Sequence, residues 1–193
     1  MNSSSLDIPC VILCGGKSSR MGEDKSLLPF DSSKTLTQYQ FDKLKKIFKK
    51  VYLSSKDNKF DFIKKDELIL DDSNIYSPIV ALNSIFTTLK DKNIFIITVD
   101  TPLIKLDSIK KLISSHNSYD STIAKTHRVH NLCGIYNREK ALFVIDKMLS
   151  EDFHKVGFLL KELNTQYIQF SSEDEFINLN DKNEYKKALS IIR

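Results

Sequence analysis

The apolar run Ile94–Val99 (IFIITV) is the feature that most constrains the fold of this chain. It is the most hydrophobic continuous stretch in the 193 residues, and it ends abruptly at Asp100-Thr101-Pro102. A short run without alternating polar positions is typical of a strand that is buried on both faces of a sheet. Such a strand needs helices packed on both sides. The run therefore predicts an α/β domain.

The rest of the chain alternates between short strand patterns and amphipathic helix patterns. Strands are predicted at Pro9–Leu13, Val51–Ser55, Leu68–Leu70, Ser121–Lys125, Leu132–Tyr136 and Gln166–Phe170. Helices are predicted at Thr35–Lys49, Ser77–Lys90 and Lys140–Leu149, and in two segments capped by Asp107 and Asp181. This alternation predicts an α/β sandwich with a largely parallel central sheet, and the length favours a single domain over residues 1–193.

The charges of the chain are spread along it. The 29 basic and 25 acidic residues are interspersed, so a nucleic-acid partner is not expected. The densest basic cluster is predicted to be a solvated helix face without a function, and it comprises Lys43, Lys45, Lys46, Lys49 and Lys50.

The cysteines and the N-terminal segment indicate where the protein works. Cys10, Cys14 and Cys133 form no pair at metal-ligand spacing, and an odd count does not suit a disulfide framework. The apolar run Ile8–Cys14 is too short for a signal peptide or a membrane span. We expect a cytoplasmic protein without a membrane partner.

A glycine cluster follows the first predicted strand. Three of the five glycines, Gly15, Gly16 and Gly22, lie within eight residues, and Lys17, Arg20 and Lys25 add cations to the same loop. Glycine allows successive backbone N–H groups to approach an anion closely, and phosphate is the usual anion at such a strand end. The spacing fits neither a Walker A motif nor GxGxxG. The loop is therefore predicted to bind phosphate, with a simple structural turn as the alternative.

The segment Leu13–Lys25 (LCGGKSSRMGEDK) closely resembles the signature loop of the molybdenum cofactor guanylyltransferases. The resemblance implies a three-layer, Rossmann-like nucleotidyltransferase fold of the glycosyltransferase-A type. It also implies that the N-terminal half binds the nucleotide and the C-terminal half binds the acceptor. Within the loop it implies backbone contacts to the nucleotide, phosphate binding by Lys25 and a second cation at Arg20. The residues implied in the backbone contacts are Leu13, Cys14, Gly15 and Gly16.

Val99-Asp100-Thr101-Pro102 matches the second signature of the same family. The resemblance implies that Asp100 holds Mg²⁺ and contacts the triphosphate. The residues alone agree, because a carboxylate at the end of the central strand faces the same crevice as the glycine loop. A turn or capping role for Asp100 is the alternative.

Other positions follow the family less closely. Asp72 aligns with an aspartate that the family uses on the nucleoside, and the adjacent Asp71 is the alternative. The family's Gly-Pro-Leu-Ala-Gly element is replaced here by Ser77–Ala81, and an expected asparagine is replaced by Ser54. These departures predict a difference either in the backbone beside the base or in base specificity.

The C-terminal region contains the implied acceptor residues. Asn178 and Asn180 lie in a segment that resembles the family's Phe-x-Asn-x-Asn element on the pterin side, and amides suit pterin edges because they both donate and accept. Capping of the last helix is the alternative for Asn180-Asp181. Arg128 and His130 lie in a segment that resembles a substrate-facing stretch of the family.

The reaction implied by the resemblance is transfer of GMP from GTP to the terminal phosphate of molybdenum-molybdopterin, with release of pyrophosphate. Lys25, Arg20 and Asp100 would supply the electrostatic stabilisation, with Mg²⁺ as the cofactor. Transient contacts with molybdopterin-delivering and molybdoenzyme-maturation proteins are also expected. The alternatives are a cytidylyltransferase or other transferase of the same fold, and a non-catalytic nucleotide-binding or cofactor-delivery protein.

Overall fold

The computed structural model of the chain describes residues 6–15, 24–71, 73 and 75–192. Gly16, Arg20 and Asp72 lie outside the described residues, so their roles stay predictions.

The described residues form one sheet of seven strands, ordered β3-β2-β1-β4-β6-β5-β7. The strands are β1 (Cys10–Leu13), β2 (Val51–Ser55), β3 (Leu68–Leu70), β4 (Asn93–Thr98), β5 (Ser121–Lys125), β6 (Val129–Asn137) and β7 (Thr165–Gln169). All neighbouring strands are parallel except that β6 is antiparallel to both β4 and β5. The reversal of β6 follows from its short connection to β5, because only antiparallel neighbours can be joined by a hairpin. The predicted largely parallel sheet is confirmed.

Six α-helices within the described ranges cover the two faces of the sheet. They are α1 (Leu36–Leu44), α2 (Pro78–Thr88), α3 (Leu106–Ser115), α4 (Arg138–Ser150), α5 (Val156–Glu162) and α6 (Lys182–Ile192). Buried residues of α1, α3 and α6 share one hydrophobic cluster, and those of α2, α4 and α5 share the other. The predicted three-layer α/β architecture is confirmed.

Strand β4 is the central strand that the apolar run predicts. Phe95 and Ile97 pack into the cluster of α1, α3 and α6, whereas Ile94 and Ile96 pack into the opposite cluster. All four side chains are fully buried. Burying each contributes about 1.5–3 kcal/mol, which explains why this run has no polar alternation.

The structure corrects two predicted helix boundaries. Helix α1 ends at Leu44, whereas the periodicity predicted a helix to Lys49. Helix α3 begins at Leu106, so Asp107 lies inside the first turn and is not its cap. The capping bonds come instead from Glu175, whose carboxylate accepts from the Lys105 backbone N–H and the Ser108 hydroxyl. Glu175 is distant in sequence, so no local pattern indicates it.

Helix α5 has no counterpart among the predicted elements. It spans only seven residues, and Gly157 occupies its second position. Two turns of helix are too short to show periodicity, and glycine disfavours a helix interior. Packing of Val156, Leu159 and Leu160 against the sheet stabilises this helix.

One lysine departs from the predicted solvated face. Lys45, Lys46, Lys49 and Lys50 are exposed, but Lys43 is partly buried and its ammonium group contacts backbone carbonyls. Burial lowers the pKa of Lys43 to about 8. The charge periodicity alone does not reveal this, because the carbonyls belong to a loop more than fifty residues further along the chain.

The cysteines are buried as free thiols. Within the described residues, no helix has both the length and the apolar character that crossing a bilayer requires.

Candidate active site

The candidate site lies where the strand order reverses, at the carboxyl ends of β1 and β4. Gly15 follows β1 and Asp100 follows β4, and these two strands are parallel neighbours in the sheet. A crevice forms at such a switch point because the connections from adjacent strands leave in opposite directions, and ligands of open α/β sheets bind there. A Cβ atom added to Gly15 would meet nothing within 4 Å, so the strand end borders open space.

Lys25 and Asp100 form an ion pair across this crevice. Lys25 Nζ lies 2.7 Å from Asp100 Oδ2, and the two side chains are only 16% and 17% exposed. The pair joins residues that are 75 positions apart. The structure therefore brings together the two charged residues that the sequence predicted for phosphate and metal binding.

Asp24 holds Lys25 in place. It caps the short 3-10 helix Lys25–Leu27, and its carboxylate accepts from both the backbone N–H and the hydroxyl of Ser26. Burial tends to raise the pKa of Asp24, but its ion pair with Lys59 and the bonds from Ser26 outweigh burial and lower the pKa. The backbone at Lys25 is thus anchored by a charged cap.

The environment of Asp100 fits a protein ligand for a divalent cation. Its Oδ1 accepts from Thr98 Oγ1 at 2.5 Å, and its backbone carbonyl accepts from the Leu179 N–H at 2.8 Å. The described residues contain no group of three or more candidate metal ligands. A single carboxylate suits Mg²⁺, which is often bound by one or two carboxylates together with substrate phosphates.

A first cavity of about 330 Å³ runs across the strand ends from Thr98 of β4 to Asp71 after β3, and its lining includes neither Lys25 nor Asp100. Its lining includes Asp71, whose carboxylate accepts from Ser54 Oγ at 3.1 Å. Burial raises the pKa of Asp71, with smaller opposing contributions from Ser54 and the Lys56 charge. The lining residues are Leu13, Gly15, Lys56, Asp71, Tyr76, Ser77, Pro78, Ala81, Thr98 and Leu132.

The Ser77–Ala81 element forms the start of α2. Ser77 is the N-cap residue, and its side chain accepts from the Ile79 N–H at 3.1 Å. Its φ of −141° is extended backbone that any residue adopts. The position therefore does not require the family's glycine, and serine adds a capping bond that glycine lacks.

A second cavity of about 280 Å³ shares Thr98 and Leu132 with the first. It is lined by Thr98, Asp100, Thr101, Arg128, Val129, His130, Asn131, Leu132, Cys133 and Asn178. The sequence-predicted Asn178 accepts from Thr101 Oγ1 at 3.2 Å. Asn180 does not line this cavity; its backbone N–H donates to the Glu184 carboxylate.

His130 forms a rigid, uncharged part of the second cavity. Its ring stacks on Phe176 with centroids 4.7 Å apart, and Nε2 lies 2.9 Å from Thr126 Oγ1. Burial, assisted by the Arg128 charge, lowers the pKa of His130 to about 4. The ring is neutral near pH 7, so Arg128 is the cation of this wall.

Leu13, Cys14 and Gly15 are predicted to contact the nucleotide through their backbone groups, and their environments differ. Leu13 and Gly15 line the first cavity, but the Cys14 N–H already donates to the Ser54 carbonyl at 2.8 Å. Burial raises the pKa of the Cys14 thiol to about 12, so it is not a nucleophile at neutral pH. The predicted contact of Cys14 with the nucleotide would therefore be made by its carbonyl.

The sequence reasoning missed three groups that position the site, namely Asp24, Lys59 and Thr98. Asp24 has a local signal, since an aspartate just before a short helix is a typical N-cap. Lys59 contacts Asp24, which is 35 positions away in the sequence, and has no comparable signal. Thr98 contacts Asp100 only two positions further on, but a threonine at the end of a buried strand does not by itself indicate this bond.

A lysine beside a carboxylate at the switch point of a doubly wound sheet suits a phosphate-bearing ligand bound together with a divalent cation, which is the chemistry of a nucleotidyltransferase. The family model described as the MobA-like NTP transferase domain matches residues 10–165. The chain belongs to this family, as the signature loop predicted.

Similar proteins agree over nearly the whole length. The molybdenum cofactor guanylyltransferase of Campylobacter jejuni subsp. doylei is 40% identical, covering 97% of this chain and 98% of its own. The protein of that name from Helicobacter pylori is 34% identical, covering 97% and 94%. The crystal structure of molybdopterin-guanine dinucleotide biosynthesis protein A from Archaeoglobus fulgidus is 19% identical, with a TM-score of 0.81 over 96% and 98% of the chains. That structure shows the same fold.

Proposed function

We propose that this chain transfers GMP from GTP to the terminal phosphate of molybdopterin, forming the guanine dinucleotide form of the molybdenum cofactor and releasing pyrophosphate. The observation that carries the proposal is the Lys25–Asp100 pair. Asp100 lines the second cavity and lies two residues from Thr98, which lines both cavities. Full-length similarity to molybdenum cofactor guanylyltransferases supports the choice of substrates. The predicted cytoplasmic location and transient protein partners belong to the same proposal.

The first cavity would hold the guanosine, with the base toward Asp71. Strands β3 and β4 are three strand spacings apart, about 14 Å, a distance that a nucleotide can bridge between Asp71 and Asp100. A carboxylate accepts from both N1–H and the 2-amino group of guanine, a pair of donors that cytosine lacks. We therefore assign base recognition to Asp71, and the predicted contact of Asp72 stays a prediction.

The charged pair would bind the triphosphate. Lys25 would exchange its contact with Asp100 for the phosphates, assisted by Arg20 and by the backbone of Gly15 and Gly16. Asp100, released from Lys25, would hold Mg²⁺. The ion supplies charge neutralisation at the α- and leaving phosphates when bound. Asp24 anchors the backbone that carries Lys25, and Thr98 holds the Asp100 carboxylate, so little backbone reorganisation is needed.

The second cavity would bind the pterin phosphate so that it faces the α-phosphorus. Arg128 supplies a cation for the acceptor phosphate, and Asn178 supplies an amide beside Asp100. His130 carries no charge near pH 7 and would serve as a wall for the acceptor. In-line displacement needs this positioning more than it needs a general base.

The proposal is tested with the purified chain, molybdopterin and a panel of four nucleoside triphosphates in the presence of Mg²⁺. Pyrophosphate release and the dinucleotide product are measured together. We expect turnover with GTP only, and loss of turnover when Mg²⁺ is chelated. Preferred turnover of CTP would replace guanylyl with cytidylyl transfer. Tight GTP binding without any product would favour a cofactor-delivery protein.

A further inference from the structure

Helix α1 presents two polar side chains to the loop that carries Asp100. Gln40 and Lys43 are three positions apart, so they lie on the same face of the helix. The loop connects β4 to α3 and runs from Val99 to Lys105. Neither side chain lines the first or the second cavity.

Gln40 contacts the start of this loop. Its amide Nε2 lies 3.2 Å from the Thr98 carbonyl and 3.4 Å from the Thr101 carbonyl, so it joins the residues on either side of Asp100. The side chain is 1% exposed, and its Oε1 has no hydrogen-bond partner in the described structure. Leaving a buried acceptor unsatisfied is costly, so this glutamine is not explained by stability alone.

Lys43 contacts the end of the same loop. Its Nζ donates to the Pro102 carbonyl at 2.8 Å and also to the Ile104 carbonyl. Within the described residues it makes no ion pair, although the Glu175 charge favours its protonated form. A partly buried ammonium whose direct partners are carbonyls pays a desolvation cost that a neutral side chain would avoid.

Together the two side chains contact four carbonyls between Thr98 and Ile104, with Asp100 inside the span. Other segments contact Asp100 itself: its carbonyl accepts from the Leu179 N–H, and its carboxylate contacts Thr98, Thr101 and Lys25. Glu175 accepts from the Lys105 N–H at the far end of the loop. Within the described residues, the side-chain contacts to the loop carbonyls come from α1. A change there would move the carboxylate relative to Lys25 without touching the ligand.

We propose that Gln40 and Lys43 are positioning residues that set the location of the Asp100 carboxylate for nucleotidyl transfer. The inference rests on the proposed function for its kinetic consequences. Its geometric consequence can be measured without any activity.

The main test compares Lys43→Met with Lys43→Arg. Methionine keeps a flexible apolar stem but removes the donor and the charge, whereas arginine keeps both. We expect Lys43→Met to lower kcat about 10- to 100-fold, as expected for a misplaced reacting group, with KM for GTP changed less than twofold. Lys43→Arg should restore most of the rate. Lys186→Met, at an exposed position of α6, is the matched control and should behave as wild type.

A purely structural role predicts a different pattern. In that case Lys43→Met would have a lower thermal unfolding midpoint. Its apparent activity and GTP binding would fall only in proportion to the loss of folded protein. Unchanged kcat per folded molecule in Lys43→Met would overturn the proposal. A parallel variant, Gln40→Leu, removes the buried unsatisfied oxygen; we expect it to lower kcat while leaving unfolding stability unchanged or higher.

The pH dependence separates activity from stability. The Lys43 pKa is lowered from 10.5 to about 8, so between these values the unfolded chain binds more protons and this group makes folding more favourable as pH rises. Activity should fall over the same range, because the neutral amine holds the carbonyls less strongly. Glu175 and Lys46 are the charged groups that act on Lys43, and the Tyr39 ring lies 6.0 Å from its Nζ.

Arginine does not titrate in this range, so Lys43→Arg should retain its activity from pH 8 to 9.5 while wild type loses activity. An identical loss of activity at alkaline pH in both proteins would contradict the role of Lys43.

Crystal structures of wild type and Lys43→Met measure the position of the Asp100 carboxylate independently of the reaction. We expect the Asp100 carboxylate to lie further from Lys25 in the variant than in wild type. A carboxylate that has not moved would overturn the inference, even if guanylyl transfer is established. A wild-type protein that does not catalyse the transfer would instead contradict the proposed function.

Discussion

The two cavities beside Asp100 share Thr98 and Leu132, but they are built from different kinds of structure. The first lies at the ends of parallel strands β1, β2 and β3 and at the N-terminus of α2. The second is formed largely by the antiparallel strand β6, together with Asn178 near the C-terminus. The first therefore depends on repeated βα connections, whereas the second depends on one hairpin and a distant segment.

This difference would separate the two tasks that we propose for the enzyme. A strand-end cavity with a half-buried carboxylate can read a flat base by its edge, which is the role we propose for Asp71. A cavity with an exposed arginine and a neutral histidine suits an anionic group that must enter and leave. Substitutions in one cavity should therefore change the kinetic constants for one substrate, whereas substitutions where the cavities adjoin should change those for both.

The largest effect is expected at the junction, in Asp100→Ala. Loss of this carboxylate removes the proposed metal ligand and its contact with Lys25, so kcat should fall about 10²- to 10³-fold. Pyrophosphate release from GTP and molybdopterin measures the rate, and circular dichroism checks the fold. Asp107→Ala, an exposed aspartate in α3, is the control. Near-normal turnover in Asp100→Ala would remove this residue from the chemistry.

An intermediate effect is expected in the first cavity, in Asp71→Asn. Replacing a charged acceptor should lower kcat/KM for GTP about 10- to 100-fold, the usual value of such a hydrogen bond. Xanthosine triphosphate carries a carbonyl in place of the 2-amino group, so the new amide should improve its use. KM for molybdopterin should not change, and Asp57→Asn is the exposed control. Equal losses for both nucleotides would argue against base recognition by Asp71.

The smallest effect is expected in the second cavity, in Arg128→Ala. The variant should raise KM for molybdopterin about tenfold through the loss of one charge-assisted contact to phosphate. The affinity for GTP, measured by titration calorimetry, should stay within twofold of wild type. Lys110→Ala on the outer face of α3 is the matched control. If Arg128→Ala weakens GTP and leaves the acceptor unaffected, the assignment of the two cavities is reversed.

Much of the first cavity is predictable from the sequence because its signals are local. The apolar run of β4, the glycine after β1 and the N-cap serine of α2 each act within a few residues. Less of the second cavity is predictable. The sequence identified Asn178 and flagged Arg128 and His130, but it did not predict the stacking of His130 on Phe176.

The errors have the same origin. Asp107 was expected to cap α3, yet Glu175 reaches that helix end from a segment folded beside it. The lysines after Leu36 were expected to face solvent, yet Lys43 meets the loop of Asp100. In both cases the expectation rested on residues that are close in sequence. The observed contact comes instead from a segment that is distant in sequence and packs nearby.

The sequence by itself determined the alternation of strands and helices, and its signature motifs identified the family. The alternation follows from backbone preferences and hydrophobic periodicity, which operate over a few residues at a time. Tertiary structure alone decided that Asp71 lines a cavity, that Lys25 meets Asp100 and that Lys43 lies beneath the Asp100 loop. These contacts join segments far apart in the chain, and their geometry is set by how the helices pack against the sheet.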